Sequence, residues 1–169
     1  MKKIFSIFLV FIICIGILVG STNEGCLEAQ LVSLNYDEIK DKLIRFHVIA
    51  NSDSDEDQAV KLLVRDEVID YINVQLKDAT GIDEARDILK DNIEEVNNIA
   101  VNILRENGFD YEANTMISNE NFPDKVYGDY LFPQGNYEAF RIIIGNGEGH
   151  NWWCVMFPPL CFVDETKGD

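Results

Sequence analysis

Leu43-Ile44-Arg45-Phe46-His47-Val48-Ile49-Ala50, followed at once by Asn51-Ser52-Asp53-Ser54-Asp55-Glu56-Asp57, decides how this chain folds. The first part is rich in β-branched and aromatic residues. Its alternation puts Ile44, Phe46 and Val48 on one face and Arg45, His47 and Ile49 on the other, the pattern of a strand. His47 is expected to be half buried there. The polar run that follows cannot extend the strand. Ser52 or Ser54 can cap free backbone N–H groups, and the acids favour the positive end of a helix dipole, so a helix should begin within a few residues. The alternating Asn51, Asp53, Asp55 and Asp57 also look like the front of a calcium loop. Such a loop needs Gly at its sixth position and Glu at its twelfth, where this chain has Glu56 and Leu62, so helix capping is the reading kept.

Downstream, Val60, Val64, Val68, Tyr71 and Ile72 form a stripe at helical spacing that predicts a helix from about Asp55 to Leu76. Leu62, Leu63 and Ile69 widen the stripe, so burial on more than one side is expected. Asp78-Ala79-Thr80-Gly81 should end it. Thr80 is placed to cap a second helix, with Asp83 three residues on. That helix carries Ala85, Ile88, Leu89, Val96, Ile99, Ala100, Ile103 and Leu104 on one face and stops at Asn107-Gly108. The acids on the opposite faces read as solvated surface.

After Gly108 the chain turns aromatic and strand-like, with turn signals at Asn119-Glu120-Asn121, Phe132-Pro133-Gln134-Gly135 and Gly145-Asn146-Gly147-Glu148-Gly149. Strands are expected near 109–118, 124–132, 136–145 and 152–157. The run ending Arg141-Ile142-Ile143-Ile144 should be central in its sheet. The glycine-rich segment lacks the Lys-Ser/Thr ending of a phosphate loop and opens no helix, so it reads as a tight hairpin. The fold class is therefore α+β: an N-terminal strand, then two long helices packed on one face of a C-terminal antiparallel sheet of three to four strands.

Met1-Lys2-Lys3 and the apolar run from Ile4 to Gly20 have the anatomy of a secretory signal, and residues 1–21 are read as a signal peptide or short membrane anchor. Residues 22–41 read as a tether and 42–165 as a single domain. Cys26 lacks the apolar residue that a lipid-attachment motif would place before it. Any membrane contact is expected through the N-terminal segment alone.

The full chain has 14 basic and 30 acidic residues, a formal net charge of −16. Such a surface repels phosphates, which argues against nucleic acid as a partner. Arg45, Arg65 and Arg141 are therefore expected in internal ion pairs. No metal or cofactor is implied, because the two histidines lie far apart and no Cys-x-x-Cys pair exists. Outside the cytosol, Cys154 and Cys161 read first as a disulfide around Pro158-Pro159.

The stretch from Gly149 to Phe162 gathers both Trp, His150 and two of the four cysteines. Partner binding is the simpler reading for it, with His150, Asn151, Trp152, Trp153, Pro158 and Pro159 as the contact residues, since aromatic anchors carry most binding energy at interfaces. A cysteine hydrolase is the alternative. It would use Cys154 or Cys161 as nucleophile, His150 or His47 as base, and Asp129, Asn151 or Asp164 to orient it. No family signature surrounds either cysteine. Carboxylates are plentiful, but nothing singles out a catalytic pair.

Two segments carry a family resemblance. One is Leu43 to Ser54 with Glu56-Asp57-Gln58, Lys61 and Val64-Arg65-Asp66. The other comprises Tyr127-Gly128-Asp129, Tyr137-Glu138-Ala139, Arg141-Ile142, Gly149 to Val155 and Phe157 to Phe162. The chain resembles the stage II sporulation protein R family of endospore-forming Firmicutes. The resemblance implies a signalling protein, not an enzyme, secreted from the forespore into the space between forespore and mother-cell membranes. There such proteins trigger a membrane-embedded aspartic peptidase that matures the precursor of sigma-E. The resemblance brings no catalytic residues.

Overall fold

The structure, a computed structural model, describes residues 32–161. The signal or anchor reading of residues 1–21, Cys26, most of the tether, Asp164 and the expected domain end at 165 lie outside the described residues.

Part of the stretch read as tether has secondary structure of its own. β1 (Val32–Ser33) is followed by a single helical turn, α1 (Tyr36–Ile39), capped by the Asn35 side chain. β2 (Ile44–Ile49) then leads into α2 (Asp55–Leu76), whose bounds agree with the sequence pattern. Ser54 is the N-cap, its Oγ accepting from Asp57 N–H at 3.2 Å. Val60, Val64, Val68 and Ile72 form the buried stripe. Leu62 and Leu63 do not widen it; they are 38% and 45% exposed.

One long second helix was the expectation, and two shorter ones occur: α3 (Ile82–Asp91) and α4 (Ile93–Glu106). Asn92 is the joint. Its Nδ2 donates to Ile88 O at 2.8 Å, and its Oδ1 accepts from Tyr71 OH at 2.7 Å, so a side chain competes for the backbone at that turn. The apolar stripe runs on across the break, which is why periodicity alone reads it as continuous. Thr80 is not the cap either. Gly81 takes that position, and Thr80 donates both N–H and Oγ1–H to Glu84 at 2.9 Å.

The remaining strands are β3 (Ala113–Phe122), β4 (Lys125–Tyr127), β5 (Tyr130–Phe132), β6 (Gly135–Ile144) and β7 (Asn151–Phe157). The expected turn at Asn119-Glu120-Asn121 is strand instead, because β3 stays paired with β6 from Ala113↔Ile144 to Phe122↔Gly135. The expected strand at 124–132 is the β4–β5 hairpin, and β1 adds to it in parallel to make a small three-stranded sheet.

The main sheet has the order β3-β6-β2-β7, and the α+β class holds. The sheet is mixed, not purely antiparallel, because β2 pairs in parallel with β6 and antiparallel with β7. The two internal positions go to β2 and β6, whose continuous apolar runs can be buried on both faces. Ile44, Phe46 and Val48 are fully buried, as are Phe140, Ile142 and Ile144. At roughly 1.5–3 kcal/mol per fully buried aliphatic or aromatic side chain, this cluster dominates the favourable side of folding.

The glycine-rich segment is no hairpin. With β2 inserted between β6 and β7, residues 145–150 must cross over the end of β2. Gly149 N–H donates to Ala50 O at 3.0 Å and Glu148 N–H to Asn51 O at 3.2 Å. A Cβ on Gly149 would collide with the Ser52 carbonyl, so the crossing needs glycine there.

Candidate functional site

Strand pairing carries most of the segment singled out in the sequence. Residues 151–157 form β7, where a strand near 152–157 was expected; it is an edge strand held to β2 along one side, and a turn follows it. Alternation along a strand sends neighbouring side chains to opposite faces. Trp152 and Trp153 therefore do not act as a pair. Trp152 lies on the helix side, edge-on to Phe46 at 5.9 Å between centroids, with the Arg65 guanidinium 4.9 Å from its ring centre. Trp153 lies on the other side, stacked on His47 at 4.8 Å with the planes 8° apart, and edge-on to Phe122 at 4.7 Å. Each indole is half-buried, so each is partly core and partly surface.

His47 itself is 2% exposed, fully buried where half burial was expected. Neither ring nitrogen has a partner among the described residues. Burial, then the nearby Arg141 and Arg45 charges, push its pKa from 6.5 down to about 3. It stays neutral near neutral pH and is cut off from solvent.

The arginines answer the ion-pair expectation differently. Arg141 pairs with Glu120, and Arg65 with Asp66 at 2.6 Å. Arg45 meets no carboxylate among the described residues. It is fully buried in an aromatic cage, with its guanidinium carbon 4.4 Å from the Phe122 ring centre and 5.1 Å from that of Tyr137. Tyr127 and Phe132 close the cage at 5.7 Å each. Its Nε donates to Cys154 O and its Nη2 to the Tyr127 hydroxyl, both at 3.2 Å. Ring quadrupoles replace a counter-ion here. Burial pushes the guanidinium pKa down, and Tyr127 and Tyr137 oppose that shift.

At its far end β7 runs into Pro158 and Pro159, both exposed, through a cis Phe157–Pro158 bond. A disulfide joins Cys154 to Cys161, with Cα atoms 5.6 Å apart. Leu160 N–H donates to Val155 O at 3.2 Å, so the closed turn lies over the outer edge of this half of β7. The other half, Asn151 to Trp153, has no such cover among the described residues.

His150 is held at the entrance by a residue that sequence reasoning did not assign. Asp53 Oδ1 accepts the His150 backbone N–H at 2.6 Å and lies 2.5 Å from His150 Nδ1. These bonds, the backbone one first, hold the Asp53 carboxyl below the usual range. Four residues on, Asp57 is buried; burial pushes its carboxyl up, but bonds from Ser52 and Asn51, then Tyr111, hold it below the ordinary value. Asp57 thus fastens the β2–α2 turn, and Asp53 ties it to the crossover loop. No local signal marks Asp53, since its partner is 97 residues away.

Beside the open half of β7 runs a groove of about 660 Å³, lined by Gln58, Lys61 and Leu62 of α2, Lys125 of β4, and Gly149, His150, Asn151, Trp152 and Trp153. No carboxylate lines it. Lys61 Nζ is already engaged with Gln58 Oε1 at 2.5 Å and His150 O at 3.0 Å. The structure gathers His150, Asn151, Trp152 and Trp153 at this groove and leaves Pro158 and Pro159 at the other end of the strand.

The hydrolase constellation does not assemble in this state. Cys154 and Cys161 are bonded to each other, so neither presents a thiolate, and His47 is buried. Among the described residues no cluster of three or more His, Cys, Asp or Glu is arranged to hold a metal.

Fold and site together define a small α+β domain organised around a disulfide-closed edge strand and a groove with no carboxylate among its lining residues. The family model described as Stage II sporulation protein R matches residues 40–167. Stage II sporulation protein R of Bacillus subtilis (strain 168) is 40% identical over 168 residues, covering 99% of this chain and 74% of the relative. No solved structure matches. The chain belongs to the Stage II sporulation protein R family and is a sporulation protein.

Proposed function

We propose that this chain is a secreted signal between the two compartments of the sporulating cell. It is exported from the forespore and acts in the space between the membranes. Its partner is a membrane-embedded aspartic peptidase, which it activates so that pro-sigma-E is matured. The observation that carries this reading is the family match over residues 40–167, which includes β2, the helices α2 to α4 and β7.

The role is activation by binding, without chemistry of its own. A disulfide between Cys154 and Cys161 supports this, since it consumes the thiols that the hydrolase alternative needs. A ligand shifts a receptor between states only by its differential affinity for them, so the domain must bind the active state of the peptidase more tightly. The contact is assigned to His150, Asn151, Trp152 and Trp153 at the groove.

Co-expression of the chain with the candidate peptidase and its substrate in a non-sporulating host tests the reading. Cleavage of pro-sigma-E that appears only when this chain is exported is expected. Equal cleavage without it would remove the signalling role. Hydrolysis of a substrate by the purified chain alone would restore the enzyme reading.

A further inference from the structure

We infer that the open half of β7 receives an extended, acidic segment of the partner as an added strand; this deepens the binding role proposed above and rests on it. Three observations converge. First, β7 is an edge strand, and every second residue of an antiparallel strand turns its N–H and C=O to the unpaired side. An extended peptide can take up those groups, as in other cases of strand addition.

Second, the edge is treated differently at its two ends. Proteins blunt exposed edges to prevent unwanted pairing. Here the turn closed by Cys154–Cys161 covers Val155 O, while Asn151 to Trp153 face a groove of about 660 Å³. Leu62 of α2 and Lys125 of β4 line it together with Asn151, Trp152 and Trp153, so the strand borders a concave surface.

Third, the charge of the groove is opposite to that of the chain. The sequence has 30 acidic residues against 14 basic, yet Lys61 and Lys125 line the groove, no carboxylate is among its lining residues, and Asp53 beside it is held by His150. A partner segment bearing carboxylates is attracted to that groove and repelled by the rest of the surface, which gives both placement and register. Its alternate side chains would meet the half-buried faces of Trp152 and Trp153.

The probe is a blocked octapeptide alternating valine and glutamate, with the valine–lysine octapeptide as its counterpart, titrated against the purified, oxidised chain. The account expects the glutamate peptide to bind at least about tenfold tighter than the lysine one, as one or two screened charge contacts would give. It also expects shifts confined to the Asn151–Trp153 amides and the indole signals. Lys125→Glu should reverse the preference, and N-methylation of alternate peptide amides should abolish binding while leaving charge intact. Equal affinity for the two peptides, or binding indifferent to N-methylation, overturns the proposal. So does peptide binding that appears only after residues 162–169 are removed, or a self-associated chain whose groove is closed to both peptides. If Lys125→Glu leaves pro-sigma-E cleavage unchanged in co-expressing cells, this mode of docking fails while the signalling role stands. Cleavage that never required the chain removes the role itself.

Discussion

Two grooves flank α2, and they differ in charge far more than in size. The one beside β7 measures about 660 Å³ and carries Lys61 and Lys125, with no carboxylate among its lining residues. The other, between α2 and α4, measures about 580 Å³ and carries Asp66, Glu67 and Glu106 with no cation. Each contains one of the adjacent leucines, Leu62 in the first and Leu63 in the second. The helix groove repeats the acidity of the whole chain, which is what a solvated helix surface needs. The β7 groove departs from it and also offers an unpaired strand edge. Apolar exposure alone does not distinguish them; charge and backbone do.

That contrast can be broken from beneath. Arg45 fills the aromatic cage and reaches Cys154 O, so it supports β7 and has no role at the helix groove. Arg45→Ala should cost about 3–5 kcal/mol, the range for emptying a large buried site, and thermal or denaturant unfolding measures it. Arg45→Met keeps most of the volume and should cost less. A loss under about 1 kcal/mol for Arg45→Ala would show that the cage is not a principal support.

The disulfide gives the next largest effect. Replacing Cys154 and Cys161 together with alanine should destabilise the domain by about 2–3 kcal/mol, as expected for a short closed loop. Hydrogen exchange should rise first at β7 and leave the α2–α4 pair protected. Lost activity at unchanged stability would favour the hydrolase instead.

Acid sharpens the same comparison. Unfolded chains bind a proton at His47 below about 6.5, whereas the folded protein resists it until about 3. Stability should therefore fall as pH drops below 6.5, by up to about 1.4 kcal/mol per unit from this residue. His47→Phe keeps a ring against Trp153 and removes the titration, so its unfolding free energy should depend less on pH across that window. An unchanged slope would mean that His47 is not buried neutral.

Local signals made much of the fold legible. The strand at Ile44–Ile49 and the helix at Asp55–Leu76 stand where alternation, capping and helical spacing put them. Misreadings arose where a distant partner decides. A glycine-rich segment between two strands reads as a hairpin unless one knows that β2 enters the sheet between them, and Gly149 meets Ala50 only through that non-local order. Arg45 reads as half of an ion pair because charge counting does not see a cage of four rings contributed by β3, β4, β5 and β6. Asn92 breaks a helix whose apolar stripe continues, because its amide and Tyr71 settle the geometry. For the site, the residue types at 150–153 stood out, but not their division between two faces, nor the part played by Asp53 and Lys125.

The most direct test sets the two grooves against each other in co-expressing cells. Pro-sigma-E cleavage is measured with Trp152→Ala/Trp153→Ala and with Leu63→Ala/Glu67→Gln/Glu106→Gln, each first shown to be folded and exported. The account predicts that cleavage is lost with the first variant and kept with the second; cleavage kept with the first and lost with the second would contradict it.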